Sequence, residues 1–266
     1  MRVGFVGLGN IGKPMALRLA AAEHIDLQVY DVAPDPLAEL VAAGAKAVGS
    51  VREIDAEVVC VMVRDDDQVR AVAGDLPAGG VLVVHSTVAP ATPAELVATG
   101  HRVLDAPVSG GPMGAADGSL AIMVGGDEDA FAVARPALEA MGSKVVHAGP
   151  LGAGTRMKLA RNLIHFVAFT AVTEAQRVAE AAGLDLAALG EVVRHTDALT
   201  GGPGAIMYRT TTAPIAPDDF WHGVFSHVAA LGEKDLGFAV ALADELGVDV
   251  PLAREALPRL RKGLGI

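Results

Sequence analysis

The stretch Gly4-Phe5-Val6-Gly7-Leu8-Gly9-Asn10-Ile11-Gly12-Lys13-Pro14 decides how the first part of this chain folds. Within it, the segment Gly7–Gly12 has the spacing G-x-G-x-x-G. The apolar residues before this segment predict a β-strand, and residues 11–22 have the periodicity of a helix, with Pro14 acceptable in its first turn. We therefore interpret the stretch as a strand, a tight glycine turn and a helix.

The glycines of this turn favour binding of a dinucleotide. Gly7 permits the tight turn, Gly9 lets a pyrophosphate approach the backbone, and Gly12 lets the helix pack close to the strand. The start of the helix offers free N–H groups and the positive end of the helix dipole to phosphates. We expect Gly7, Leu8, Gly9, Asn10, Ile11 and Gly12 to contact the cofactor. The alternative is a Rossmann-like turn without cofactor, or one that binds another nucleotide.

The nature of the dinucleotide is indicated by Asp31. It follows the next predicted strand, 19 residues after Gly12, where a carboxylate accepts hydrogen bonds from the adenosine ribose. A 2′-phosphate would be repelled there, and residues 32–35 contain no basic side chain. The sequence therefore predicts NAD rather than NADP.

Short apolar runs alternate with helical patterns up to residue 149. The predicted strands are Val3–Val6, Leu27–Tyr30, Val58–Val63, Val81–His85, Arg102–Leu104, Leu120–Val124 and Val145–His147. The predicted helices are Ile11–Ala22, Pro36–Ala43, Asp67–Ala73 and Ala130–Met141. Such alternation is typical of a parallel sheet covered on both faces. We predict an α/β Rossmann-type domain over residues 1–150.

The pattern changes after Pro150. Residues 155–182 contain no proline and no strand-like alternation, and Gly183 is a suitable helix stop. Helical patterns continue to the end, interrupted by the glycines and proline of residues 201–204. We predict an all-α domain over residues 151–266.

Composition excludes several classes of protein. The net charge is −11, with no basic stripe, so nucleic-acid binding is not expected. No uncharged run is long enough to span a membrane, and no signal peptide is visible. No Cys/His cluster has metal-ligand spacing, and the single cysteine, Cys60, lies in a predicted strand. We expect a cytoplasmic protein that binds no metal.

A polar stripe marks the first helix of the second domain. Lys158, Arg161, Asn162 and His165 stand at positions i, i+3, i+4 and i+7, so they share one helix face. Such a face either lines a site or is solvated. Two other segments are ambiguous alone. Ser109-Gly110-Gly111 could bind a carboxylate or be an ordinary turn, and Lys234-Asp235 could be an ordinary charged pair.

Taken together, these segments resemble the β-hydroxyacid dehydrogenases, which include 3-hydroxyisobutyrate dehydrogenase, tartronate semialdehyde reductase and, more distantly, 6-phosphogluconate dehydrogenase. The resemblance covers nearly the whole chain. It is carried by Gly4–Ala16, Ser86–Pro90, Asp105–Gly111, Gly118–Leu120, Met123–Gly126, Gly152–Gly154, Lys158 and Lys234–Leu236. Several motifs in one order are far more specific than any single motif.

The resemblance implies a role for each of these residues. It implies that Lys158 transfers the proton, that Asn162 helps to hold the substrate and that Asp235 is the acidic partner near the site; Ser109 is counted with them among the catalytic residues. Ser109, Gly110 and Gly111 match the loop that holds the substrate carboxylate. Cofactor contacts are implied for Val63, Arg64, Gln68, Thr87 and Lys234. The expected substrate is a small 3-hydroxy acid, 3-hydroxyisobutyrate-like, or its semialdehyde, and the expected assembly is a homodimer or homotetramer.

The chain departs from the family pattern at two positions. Arg161 and Arg64 stand where the family often has Asn and Pro. Arg161 would lie beside the substrate and contact a second anionic or polar group, so it leaves the substrate open. The alternatives are an imine or succinic semialdehyde reductase, and a nucleotide-binding protein without turnover. Imine reductases usually replace the catalytic lysine, so Lys158 argues against them.

Overall fold

The strand β1 (Arg2–Val6) pairs in parallel with β2 (Asp26–Tyr30) on one side and β4 (Val58–Val61) on the other. Val3 and Phe5 pack into one apolar cluster, whereas Val6 packs into a second one. Successive side chains of a strand point to opposite faces, so both faces of the sheet are buried. This double burial explains the continuous apolar runs of the sequence.

The other strands complete a mixed sheet. They are β3 (Lys46–Ala47), β5 (Val81–Val84), β6 (Arg102–Asp105), β7 (Val108–Ser109), β8 (Ala121–Gly125) and β9 (Lys144–Gly149). The order is β3-β2-β1-β4-β5-β6-β8-β7, and β9 pairs with β8. The segment β3-β2-β1-β4-β5-β6 has the order of a Rossmann-type fold, which confirms the predicted class.

The sheet is parallel from β3 to β6, but β8 runs antiparallel to both β6 and β7. The sequence pattern predicts all seven longer strands and misses this reversal. A strand covered on both faces is apolar whichever way it runs, so its composition does not report its direction. The two-residue strands β3 and β7 are also missed, because they are too short to show a period.

Helices cover the sheet of the first part of the chain. They are α1 (Gly12–Ala20), α2 (Asp35–Ala42), α3 (Asp66–Asp75), α4 (Thr92–Leu96), α5 (Gly111–Asp117) and α6 (Glu128–Met141), with 3₁₀ turns at Val51–Glu53 and Val97–Thr99. The helix α1 buries Met15, Ala16 and Leu19, which lie on one face. The predicted helices agree within about two residues, and the short α4 and α5 are additional.

The remaining elements are helical. They are α7 (Ala153–Ala181), α8 (Leu186–Thr200), α9 (Phe220–Leu246), α10 (Pro251–Ala256) and α11 (Leu260–Leu264), with 3₁₀ turns at Gly202–Gly204 and Leu257–Arg259. Gly183 has φ +73°, as expected for a helix stop. In the part of the chain that the structure describes, residues 1–208 and 210–266, no strand follows β9. The all-α prediction is confirmed.

The computed structural model separates two compact units, Met1–Arg161 and Asn162–Ile266. The separation falls within α7, eight residues after its start at Ala153. Lys158 therefore belongs to the same unit as the sheet. The predicted boundary at 150/151 stays a prediction.

Three observations concern the single cysteine, membrane-spanning helices and metal-binding clusters. Burial raises the pKa of the Cys60 thiol to about 12, as fits its place inside β4. No helix in the described residues is both long and apolar enough to cross a membrane. Within the same residues, no three His, Cys, Asp or Glu side chains are grouped so as to hold a metal ion.

Candidate functional site

Two positions of the turn after β1, residues 7 and 12, can be occupied only by glycine. Gly7 has φ +95°, and a Cβ there would lie 2.2 Å from the carbonyl oxygen of Met62. A Cβ on Gly12 would lie 1.9 Å from the carbonyl oxygen of Gly7. At Gly9, by contrast, the space for a Cβ has no described atom within 4 Å. The turn is thus closed on the protein side and open where a phosphate would approach.

Asp31 holds this turn in place. Its carboxylate accepts hydrogen bonds from the backbone N–H groups of Leu8, at 2.5 Å, and Ala33, at 2.7 Å. Two carboxylate oxygens offer about four acceptor positions, so capacity remains for ribose hydroxyls. The sequence predicts Asp31 as a cofactor contact, and the structure adds its bond to the turn.

A cavity of about 390 Å³ lies beside the turn. It is lined by Val6, Gly7, Gly9, Tyr30, Asp31, Val32, Met62, Val63, Arg64, Gln68, Ala71 and Val72. The cavity thus brings together six of the predicted cofactor residues. An open glycine turn, a carboxylate and apolar walls are the features that a dinucleotide requires, so the residues present fit NAD(P). Thr87 is exposed, three residues after the end of β5.

Lys158 lies in α7, but its side chain reaches β7. The ammonium donates hydrogen bonds to the carbonyl oxygen of Val108, at 2.6 Å, and to Oγ of Ser109, at 2.9 Å. Lys158 is only 8% exposed. Burial, and secondly the positive charge of Arg161, lower its pKa from the usual 10.5. A lysine with a lowered pKa exchanges protons more readily near neutral pH.

The turn after Ser109 depends on two glycines. Gly110 has φ +135° and Gly111 has φ +63°, a region of backbone space that other residues rarely adopt. This turn ends β7 and starts α5 at Gly111. It leaves the hydroxyl of Ser109 beside Lys158. Binding of a carboxylate by this loop stays a prediction.

Two family models match successive parts of the chain. Residues 2–149 match the NAD-binding domain of 6-phosphogluconate dehydrogenase. Residues 152–263 match the NAD-binding domain of NADP-dependent 3-hydroxyisobutyrate dehydrogenase. The chain belongs to the β-hydroxyacid dehydrogenase family. The predicted resemblance is therefore confirmed, and with it an oxidoreductase that has NAD(P)-binding domains.

Individual β-hydroxyacid dehydrogenases and related proteins match over nearly their full length. An oxidoreductase from Mycobacterium avium 104, solved by crystallography, is 47% identical, with a TM-score of 0.95 and coverage of 99% of this chain and 98% of the other. The NAD-dependent L-serine dehydrogenase of Pseudomonas aeruginosa is 36% identical, over 98% of this chain and 91% of its own. The structure of Mycobacterium tuberculosis 3-hydroxyisobutyrate dehydrogenase with L-serine is 32% identical, with a TM-score of 0.66 and coverage of 98% and 92%.

The other predicted site residues of this β-hydroxyacid dehydrogenase lie at or beyond the limit of the first unit. Arg161, its last residue, is exposed, and Asn162, the first residue of the second unit, is half-buried. Lys234 and Asp235 lie on α9 and form an exposed ion pair with each other, at 3.0 Å. Their roles toward cofactor and substrate stay predictions.

Two buried polar residues near the site were not predicted. Oγ of Ser86 accepts a hydrogen bond from the N–H of Val63, at 2.9 Å, and donates one to its carbonyl oxygen, at 2.7 Å. Ser86 thereby joins the ends of β4 and β5 beside the cavity. Asp105 is fully buried and accepts hydrogen bonds from the N–H groups of Gly152 and Thr155. Ser86 and Asp105 begin the family motifs Ser86–Pro90 and Asp105–Gly111, but their backbone partners are distant in sequence.

Proposed function

We propose that the chain is an NAD-dependent dehydrogenase that oxidises a small 3-hydroxy acid, 3-hydroxyisobutyrate-like, or reduces the corresponding semialdehyde. The observation that carries the proposal is the pair of hydrogen bonds from Lys158 to Val108 and Ser109. A buried amine held at the edge of a nucleotide-binding sheet is suited to proton transfer. Bound nicotinamide supplies the hydride acceptor for oxidation and the donor for reduction.

The geometry at Lys158 leaves one position of the nitrogen for the proton that moves. A lysine nitrogen has three positions besides its own carbon. Two of them point N–H groups at Val108 and Ser109. The third carries a lone pair in the neutral amine, which accepts the hydroxyl proton during oxidation. In the ammonium it carries an N–H, which donates to the carbonyl oxygen during reduction.

The substrate carboxylate is assigned to the turn after β7. The hydroxyl of Ser109 accepts from Lys158, so its own hydrogen is available to a carboxylate oxygen. The backbone of Gly110 and Gly111 is assigned to the same carboxylate. A carboxylate held at Ser109 leaves its 3-hydroxyl near Lys158. In the same proposal, Asn162 helps to hold the substrate and Asp235 is the acidic partner near the site. Arg161 contacts a second polar group of the substrate.

Support for a 3-hydroxy acid also comes from the relatives. One is named an L-serine dehydrogenase, and a 3-hydroxyisobutyrate dehydrogenase was solved with L-serine. L-serine and 3-hydroxyisobutyrate share a carboxylate and a hydroxyl on the third carbon. A site built from Ser109 and Lys158 addresses these two groups and no other part of the molecule.

NAD is the proposed cofactor because Asp31 lines the cavity beside the turn. Leu8 and Ala33 hold its carboxylate there, where it would repel a 2′-phosphate. The cofactor contacts assigned to Asn10, Thr87 and Lys234 are part of the same proposal. Homodimer or homotetramer assembly and a cytoplasmic location also stay predictions.

A turnover screen tests this proposed function. The purified protein is incubated with NAD or NADP and with 3-hydroxyisobutyrate or L-serine, and NADH or NADPH formation is followed by absorbance. The reverse direction uses small semialdehyde acids, succinic semialdehyde and cyclic imines. We expect the highest kcat/KM with NAD and a small 3-hydroxy acid. A preference for cyclic imines would favour the imine reductase alternative, and no turnover with any pair would favour a binding protein.

A further inference from the structure

Asp105 stands between the two segments that meet at the candidate site. It ends β6, four residues before Ser109, and it is fully buried. Its two carboxylate oxygens accept hydrogen bonds from separate backbone groups. One bond comes from the N–H of Gly152, at 2.7 Å, and the other from the N–H of Thr155, at 2.6 Å. Asp105 thus binds the start of α7 from a strand that is distant in sequence.

The start of α7 requires such a partner. The first N–H groups of a helix have no acceptor within the helix, and buried donors without partners are costly. A charged carboxylate is a strong acceptor at this end of the helix dipole. The carbonyl oxygen of Pro150, just before the helix, accepts from the N–H of Ala153, but the acceptor for the N–H groups of Gly152 and Thr155 is Asp105. The cap is therefore also a tertiary link.

Close backbone packing reinforces the link. A Cβ on Gly154 would lie 2.2 Å from the carbonyl oxygen of Met123 and 2.4 Å from that of Asp105. A Cβ on Gly125 would lie 2.4 Å from Oδ1 of Asp105. The first turn of α7 thus lies directly against the ends of β6 and β8, and no side chain can be inserted between them.

The hydrogen bonds of Asp105 and those of Lys158 connect the same two segments of the chain, the start of α7 and the segment from β6 to β7. Lys158 is three residues after Thr155, one helical turn further along α7. Its ammonium returns to Val108 and Ser109, three and four residues after Asp105. Any shift of α7 along the sheet would break the bonds of Asp105 and Lys158 together.

We propose that Asp105 is a positioning residue of the reaction, which holds the helix that carries Lys158 so that the ammonium stays between Val108 and Ser109. This inference rests on the proposed function of Lys158 as the proton-transferring group. Asp105 itself does not touch the substrate in this arrangement. Its effect is on the place of the amine, and misplacement by about 1 Å from remote changes can cost ~10²-fold in rate.

Asp105→Asn is the first test. It keeps the size of the side chain but turns one acceptor into a donor that faces a backbone N–H. The second test, Thr155→Pro, replaces that N–H by a ring carbon, so the bond is lost while Asp105 keeps its carboxylate; proline is tolerated in the first turn of a helix. The control is Asp185→Asn, because Asp185 also accepts from two backbone N–H groups, at the start of α8, which carries no proposed site residue.

The first readout needs no substrate. In protein labelled with ¹⁵N-lysine, at mildly acidic pH and low temperature, a buried, hydrogen-bonded ammonium gives a visible Nζ–H signal. Lys158→Arg identifies the Lys158 signal by its absence. We expect the signal to be lost by solvent exchange in Asp105→Asn and Thr155→Pro, and retained in Asp185→Asn. Because no turnover is involved, this result is independent of whether the proposed function is right.

The second readout is the split between kcat and cofactor binding. With NAD and 3-hydroxyisobutyrate, we expect Asp105→Asn and Thr155→Pro to lower kcat at least ~10-fold, a tenth of the loss that a 1 Å misplacement can cause, and to keep the wild-type Kd for NADH. A folded Asp105→Asn or Thr155→Pro protein that keeps both the Nζ–H signal and most of the wild-type kcat would overturn the proposal. If the signal is lost but the wild-type enzyme has no turnover, the positioning stands and the proposed function fails.

Discussion

The Nζ atom of Lys158 lies 2.9 Å from Oγ of Ser109, although 49 residues separate them in the sequence. This pair joins α7 to β7 within the first unit. The proposed proton-transferring group and the proposed carboxylate-binding hydroxyl are therefore joined by one hydrogen bond. The predictions below test what this arrangement does.

Lys158→Ala is expected to lower turnover by ~10²–10⁴, the usual contribution of a positioned acid or base. The Kd for NADH, measured by fluorescence titration, should stay near the wild-type value because the glycine turn is untouched. Lys158→Arg should rescue poorly, since a guanidinium does not release its proton in this range. Lys144→Ala, at an exposed lysine in β9, is the control. Wild-type turnover in Lys158→Ala would rule out the mechanism.

The pH dependence of oxidation should report the same amine. Oxidation needs neutral Lys158, so kcat/KM should fall as the pH drops through the pKa of this group. Burial and the charge of Arg161 place that pKa below 10.5. In Arg161→Asn the fall of kcat/KM should move to higher pH. The pKa that sets it should stay below 10.5, because burial, the larger cause, remains. Arg156→Asn, on the same helix, should leave the fall of kcat/KM at the same pH. Equal shifts in both variants would contradict a specific effect of Arg161 on Lys158.

Arg161 is also expected to influence substrate choice. It places a cation one helical turn from Lys158 on α7, where it favours a substrate with an additional anionic or polar group. Arg161→Asn should raise the activity on plain 3-hydroxy acids relative to such substrates. The measurement is kcat/KM for a substrate panel, with Arg156→Asn as the control. An unchanged ranking would show that Arg161 does not contact the substrate.

NADH should bind at least ~10-fold more tightly than NADPH, because unit charges 4 Å apart repel by about 1 kcal/mol even in water and a phosphate carries nearly two. Asp31→Asn should reduce this preference by removing the charge while keeping the side-chain shape. Asp35→Asn, at an exposed carboxylate that starts α2, is the control. Fluorescence titration of both cofactors decides the matter, and tighter binding of NADPH to the wild-type protein would refute the prediction.

The second unit should form the interface of a homodimer or homotetramer. Leu163, Phe166 and Phe238 are 68%, 59% and 67% exposed, a large apolar surface for an isolated chain. Light scattering at micromolar concentration should therefore give at least twice the 27.1 kDa of one chain. Phe166→Glu should weaken the assembly, whereas Val97→Glu, at a half-exposed position of the first unit, should not. A wild-type mass of 27.1 kDa would contradict the prediction.

Local sequence patterns were sufficient to predict the fold class and the nucleotide turn. Strand and helix periods, and glycines that only a tight turn requires, are local properties, so Gly7, Gly12 and the longer strands of the parallel part could be read directly. Composition also placed the all-α segment after β9. Family motifs in their order identified Lys158 and Ser109 as candidates. They did not show that the two side chains touch.

The direction of β8, the orientation of Lys158 and the cap of α7 depend on contacts between distant segments, so local sequence patterns could not predict them. Burial on both faces makes a strand apolar in either direction, so the reversal at β8 had no local signal. The polar stripe of α7 was equally compatible with solvent, and only the fold turned Lys158 toward Val108 and Ser109. The cap supplied by Asp105 lies 47 and 50 residues from its partners. A helix cap from so far away leaves no mark in the residues around the helix, and so only the folded chain reveals it.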